Sequence, residues 1–229
     1  MRKENRLKTL ENYYPSTSHK DLRDIPKTMN IDFGFYFREF LDRNDYKMLE
    51  IGCATGNFLA NDPENIIGID INKNLLKIAR KRGFNVLLVD VENGLCFKDS
   101  SFDAIHASHI IEHLSDPIYF MKECFRILKE GGKLVVITED FSKAYKIFYD
   151  DPTHISPLTR KSLKICAIEA GFKVKDIKVE RQCVPTGMGL LVRKGYLSMS
   201  KALFISKCLY KVGIYKHKQG TLVLEARKG

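Results

Sequence analysis

Three short apolar runs each end in an acid and recur at even spacing: Met48-Leu49-Glu50, Ile66-Ile67-Gly68-Ile69-Asp70 and Val86-Leu87-Leu88-Val89-Asp90. Nearly continuous aliphatic runs of this length are strands buried on both faces, which is the pattern of a parallel sheet. Asp70 stands 20 residues after Glu50, leaving room for a connecting segment between the first two runs. Gly52-Cys53-Ala54-Thr55-Gly56 follows the first run and opens an amphipathic stretch. A turn of small residues between a strand end and a helix lets a ligand approach the backbone, because no Cβ intervenes.

The spacing predicts strands at 47–51, 65–70, 85–90, 102–107 and 133–138, with helices at 72–82 and 117–129 between them. Gly83 closes the first helix, Asp116-Pro117 opens the second, and Glu130-Gly131-Gly132 turns the chain into the fifth strand. Strands alternating with helices predict an α/β chain with a parallel sheet. Further on, a helix begins at Ser156 or Thr159 and runs to Ala170, where Gly171 ends it. Strands are expected at 172–179, where apolar residues alternate with lysines, and at 221–226.

Residues 1–44 read as an N-terminal helical cap: a charged helix over 1–12, a loop at 13–19, and an aromatic helix from Phe33 to Leu41 whose rings serve as core. Residues 45–229 read as one domain, and 185–218 as an insertion before the last strand rather than a domain of its own. From Arg181 to Leu224 there is no acid, and eight Lys or Arg residues lie there, which accounts for most of the net charge of +10. If 199–211 is helical, its apolar residues share one face and its lysines the other. The six cysteines are scattered with no C-x-x-C pair, as expected of small core residues in a reducing cytoplasm. No stretch reaches the ~20 consecutive apolar residues of a membrane span, and the charged start lacks the apolar segment of a signal peptide. A cytoplasmic protein, with membrane-peripheral binding through the basic segment, is the expectation.

Acids at strand ends face the ligand crevice of an open α/β sheet. Asp70 lies at the distance at which a carboxylate accepts from ribose hydroxyls, and Asp90 is placed to accept from an amino group such as adenine N6. Glu50 can orient the turn or a cationic end of the ligand. Together with Ser101-Phe102-Asp103, Glu112-His113-Leu114 and Leu128-Lys129-Glu130-Gly131-Gly132, the Glu50–Gly56 turn resembles the class I S-adenosylmethionine (SAM)-dependent methyltransferases over about residues 45–180. The subgroup acting on small molecules and glycans is the most similar. The resemblance implies a Rossmann-like, doubly wound, mostly parallel seven-stranded sheet with an antiparallel last strand, and SAM as cofactor. It implies Gly52 and Gly56 at the methionine part, Asp70 and the adjacent Ile71 at the ribose, Asp90 and Val91 at the adenine, and Ser108 beside the sulfonium. Ala54 departs from the family, which has glycine there. A nicotinamide-binding turn would need G-x-G-x-x-G, which fails at Ala54 and Asn57.

His109-Ile110-Ile111-Glu112-His113 is a literal H-x-x-E-H, which on a helix would set His109 and His113 on one face as metal ligands. In this context it reads as a hydrogen-bonded histidine pair at the crevice edge, and no metal is assigned. Asp151-Pro152-Thr153-His154 resembles a segment of methyltransferases acting on glycans and lipid-linked substrates. His154 is therefore the first candidate general base, with His109 competing, since an imidazole titrates near neutral pH. The expected reaction is O-methylation of a hydroxylated small molecule or of a glycan or lipid-linked precursor. The alternatives are an RNA methyltransferase that uses the basic 181–218 segment and a SAM-binding protein without catalysis. Anionic membrane surfaces rank as partners ahead of nucleic acid, and the sequence does not fix the oligomeric state.

Overall fold

The computed structural model describes residues 36–40, 43–182 and 220–229, together with Ile205. Seven strands, β1 (Met48–Ile51), β2 (Ile66–Asp70), β3 (Val86–Leu88), β4 (Phe102–Ser108), β5 (Leu128–Glu139), β6 (Ile177–Gln182) and β7 (Thr221–Arg227), form one sheet. Their order is β3-β2-β1-β4-β5-β7-β6. β7 runs antiparallel to both β5 and β6, and every other neighbouring pair is parallel. The sheet is the doubly wound one expected, and its order reverses between β1 and β4. At such a switch point the two outgoing connections leave on opposite faces and open a crevice.

Alternation along the strands divides the core. Leu49, Ile51, Ile105, Leu134, Val136 and Leu224 face the helices α2 (Pro117–Ile127) and α4 (Arg160–Glu169), between which the chain forms the short α3 (Phe141–Ala144). Met48, Ala104, Val135 and Ile137 face α1 (Lys73–Lys81) and the rings of Tyr36, Phe37, Phe40 and Phe58. Among the described residues, the expected aromatic helix is represented by a 3-10 turn, Arg38–Phe40. The buried Tyr36, Phe37 and Phe40 do pack as core. The predicted helix at 1–12 and the basic segment at 185–218 lie outside the described residues, apart from Ile205.

The helix starts follow local chemistry. Asn72 Oδ1 accepts from the amides of Asn74 and Leu75 to cap α1, Asp116 caps α2, and Thr159, rather than Ser156, caps α4 in a reciprocal pair with Ser162. Several boundaries differ from expectation, and β3 ends at Leu88 rather than at Asp90. α2 ends at Ile127 rather than 129, because Leu128 already pairs with Phe102, and the Gly131 region is a bulge inside β5 rather than a turn before it. Gly131 takes φ +75°, its amide donates to the Lys228 carbonyl at 2.6 Å, and Lys228 donates back to Gly132. β6 begins at 177, not 172. Phe172 belongs to the end of α4: its amide reaches the Ala167 carbonyl, Gly171 reaches Ile168, and the ring packs edge-on against Phe125.

One side chain ties the crossover before β4 to α2. The Arg126 guanidinium donates to the carbonyls of Leu95 and Phe97 and to the carboxylates of Asp99 and Glu123, at 2.7–2.8 Å. Arg126→Met strands two carbonyls and leaves the Glu123 carboxylate only the Leu95 amide among the described residues, a cost of about 2 kcal/mol. In a chain of this size that lowers the melting temperature by roughly 4–8 °C, measurable by calorimetry, and a shift within one degree would contradict it.

Candidate active site

The crevice at the switch point is built on the β1 turn. Gly52, Ala54 and Gly56 all take positive φ, at +76°, +47° and +84°. A Cβ on Gly52 would lie 2.2 Å from Ile110 Cδ1, and one on Gly56 would lie 2.4 Å from Phe84 Cδ2, so both positions require glycine on two counts. Ala54 adopts the left-handed conformation of the glycine that it replaces, at a cost on the order of 1 kcal/mol. A hydrogen bond from its amide to Asp70 Oδ2, 2.8 Å long, offsets that strain.

Below the turn, Glu50 Oε2 lies 2.6 Å from Nδ1 of His106, and both residues are buried. The His106 ring stacks on Phe58 with centroids 4.2 Å apart. Asp70 accepts the amides of Ala54 and Asn72, so its carboxylate joins the β1 turn to the start of α1. Burial raises its pKa against the opposing pull of those amides. Asp90 caps the next turn through the amide of Glu92 and the side chain of Asn93.

A cavity of about 260 Å³ opens over these strand ends. Of the residues expected to hold the cofactor, Gly52, Asp70, Ile71, Asp90, Val91 and Ser108 line it, and Glu50 and Gly56 do not. Glu50 lies under the turn, and Gly56 shapes it against Phe84. Asn72, Leu75, Val89, Glu92 and Ile110 also line the cavity and were not singled out from the sequence. Asn72 had a legible signal, a helix-capping residue two places after a strand-end acid.

A second cavity, about 440 Å³, adjoins the first. His109, His113, Glu139, Ile147, Asp150, Asp151 and His154 line it, and His109 and His113 border both cavities. Three acids, three imidazoles and no lysine or arginine face this space among the described residues.

The H-x-x-E-H stretch is not the helix that its spacing suggested. β4 ends at Ser108, and His109 turns the chain at φ +54°, a conformation several times commoner for His, Asn and Asp than for most side chains. A 3-10 turn, Ile111–His113, follows. His109 therefore bonds Glu112, with Nδ1 3.0 Å from Oε1, and does not share a helical face with His113. The His109 side chain is 50% exposed, whereas that of Glu112 is fully buried. Burial works to raise the Glu112 pKa, but the hydrogen bond and charge of His109 outweigh it and hold the carboxyl below its usual range. His113 is pushed down, chiefly by burial, so the ring is neutral at pH 7.

The Asp151–His154 loop is fastened beneath this turn. The Glu112 carbonyl accepts from Ile155 and Ser156, and Ser156 Oγ donates to the Leu114 carbonyl at 2.6 Å. His154 donates through Nδ1 to the Phe148 carbonyl at 2.7 Å. The two base candidates thus border the same cavity, but His109 alone of the two also borders the first.

Comparison with known proteins places this arrangement. Residues 49–136 match the family described as a methyltransferase domain. The crystal structure of a SAM-dependent methyltransferase from Archaeoglobus fulgidus superposes with a TM-score of 0.64 at 25% identity, covering 86% of this chain and 92% of that one. Residues 49–136 thus form a SAM-dependent methyltransferase domain of the class I type. An uncharacterised protein of Methanocaldococcus jannaschii is 43% identical over 130 residues, 56% of this chain and 62% of that protein. A ubiquinone biosynthesis O-methyltransferase of Xanthomonas oryzae is 32% identical over 112 residues, 45% of this chain and 47% of that enzyme. The chain thus spans less than two thirds of the length of these curated relatives.

SAM is the cofactor of this methyltransferase domain, and the first cavity suits it. Gly52 lets the Ile110 side chain pack directly on the turn at the cavity's edge, Asp70 and Asp90 stand at and just beyond two strand ends, and Ile71, Leu75, Val89 and Val91 supply apolar walls. Among the described residues, no helix is long and apolar enough to cross a membrane.

Proposed function

We propose that this methyltransferase methylates a hydroxyl of a small, polyhydroxylated, uncharged acceptor such as a sugar derivative. The observation that carries the reading is the lining of the second cavity, with Glu139, Asp150 and Asp151 beside three histidines. Carboxylates only accept hydrogen bonds, so they take up hydroxyl protons well and repel phosphate. Bound SAM supplies an electrophilic methyl carbon on a sulfonium. In this reading Asp70 accepts the ribose hydroxyls, with Ile71 beside it, Asp90 and Val91 flank the adenine, and Gly52 and Ser108 bound the methionine end. Glu50 and Gly56 act through the turn rather than by touching the ligand.

His109 is the general base of this proposal. It borders both cavities, and its Nδ1 is held by buried Glu112, which leaves proton uptake from the acceptor to Nε2. His154 borders the acceptor cavity only and serves there in positioning.

An RNA acceptor is the second reading, resting on the charge of the 181–218 segment; the acid lining of the second cavity counts against it. Lipid-linked acceptors and anionic membrane surfaces rest on the same segment, most of which lies outside the described residues. A transfer assay with radiolabelled SAM over neutral glycosides and polyols, tRNA, and anionic vesicles decides among them. Label is expected in the neutral hydroxylated compounds, and label found only in tRNA or only in lipid would replace the proposal.

A further inference from the structure

We propose that Glu112, His113 and His154 form a binding site for one divalent first-row transition ion of the Zn²⁺ and Co²⁺ type, at the floor of the acceptor cavity. This deepens the proposed function by giving the acceptor's hydroxyl a partner, but the site itself stands on its own geometry.

One ligand atom from each of the three residues lies within 4.8 Å of the others. Coordination bonds of about 2.1 Å bring ligand atoms to roughly 3.4 Å of one another, so a bound ion would draw these three side chains closer together. Both imidazoles are already set as ligands. A carbonyl can only accept, so His154 must carry its proton on Nδ1, which faces the Phe148 carbonyl at 2.7 Å. His113 likewise directs Nδ1 at Thr153, 3.2 Å from the carbonyl and 2.9 Å from Oγ1. Thr153 Oγ1 spends its own proton on Asp151, so it accepts from His113. In each ring the lone pair is therefore on Nε2. Metal-bound histidines are held in the same way, with the distal N–H on a backbone carbonyl or carboxylate.

Glu112 supplies an independent observation. Its side chain is fully buried, Oε1 is taken by His109, and Oε2 has no hydrogen-bond partner among the described residues. A buried carboxylate oxygen without a donor is costly, and a cation satisfies it. The surroundings add negative charge, since Asp151 Oδ2 lies 4.0 Å from His154 Nε2. Two imidazoles and one carboxylate favour zinc, cobalt or iron over magnesium or calcium, which prefer oxygen. Three protein ligands leave a position open toward the cavity. An acceptor hydroxyl oxygen bound there has its pKa lowered, its proton passing to His109.

The test uses the full chain freed of metal by a chelator and titrated calorimetrically with Zn²⁺, Co²⁺ and Mg²⁺, with Co²⁺ absorption as a second readout. Zn²⁺ and Co²⁺ are expected to bind one ion per chain, at least a hundredfold more tightly than Mg²⁺. Glu112→Gln and His154→Ala should each weaken Zn²⁺ binding at least tenfold. Should Glu112→Gln fail to fold, the less buried His154→Ala decides. No saturable binding of Zn²⁺ or Co²⁺, affinity unchanged in His154→Ala, or Mg²⁺ binding as tightly as Zn²⁺ would each overturn the site. Binding of S-adenosylhomocysteine by the same samples separates the two proposals. Cofactor binding without ion uptake removes the metal site alone, and ion uptake without cofactor binding removes the methyl-transfer reading.

Discussion

Asp70→Ala should all but abolish cofactor binding, with the affinity for S-adenosylhomocysteine falling on the order of 10²–10⁴-fold. The figure follows from the proposed role of Asp70, two charged hydrogen bonds to the ribose at about 1.5–3 kcal/mol each. It is a floor, because the carboxylate also has an internal role. Its two oxygens hold the amides of Ala54 and Asn72, at 2.8 Å each, and so keep left-handed Ala54 and the first turn of α1 in place. Asp70→Asn separates the two roles. It preserves size but turns an amide N–H toward one of the backbone donors, so part of the loss persists. Calorimetry on wild type and both variants measures this directly. Undiminished binding in Asp70→Ala would remove Asp70 from the cofactor site.

The second large effect belongs to His109. General-base catalysis contributes roughly 10²–10⁴-fold, so His109→Ala should lower the single-turnover rate by about that factor and leave S-adenosylhomocysteine affinity within a few fold. Glu112 fixes the ring from beneath, through its bond to Nδ1. His109→Gln keeps a hydrogen-bonding group but cannot take up the proton, and it should be as slow as the alanine variant. If His154→Ala loses the chemical step and His109→Ala does not, the base is His154.

What was legible in the sequence was whatever depended on local order. The strand-end acids, the Gly52–Gly56 turn and the caps at Asn72, Asp116 and Thr159 each follow from a few consecutive residues. The misplaced boundaries were set from further away. Leu128 is a strand residue because Phe102 is beside it, and Phe172 closes a helix because Phe125 receives its ring. The H-x-x-E-H stretch shows the same limit at the site itself. Its spacing suggested His109 with His113, but the left-handed turn at His109 breaks the helix. The third partner of Glu112 and His113 is His154, brought in by hydrogen bonds to the Glu112 carbonyl. No local period encodes that meeting.

The end of the sheet carries one more consequence. Gln182 and Thr221 are cross-strand partners, Thr221 also pairs with Glu139, and the amide of Asp140 donates to the Gly220 carbonyl at 2.8 Å. Buried Asp140 also holds the Arg181 guanidinium in an ion pair. The chain therefore leaves and re-enters the sheet at a single anchored doorway, next to an acid of the acceptor cavity. Residues 183–219 are the stretch of chain that joins those two posts. Because Asp140 follows Glu139 directly, the hydrogen bond and ion pair that fasten this doorway also fix one wall of the second cavity.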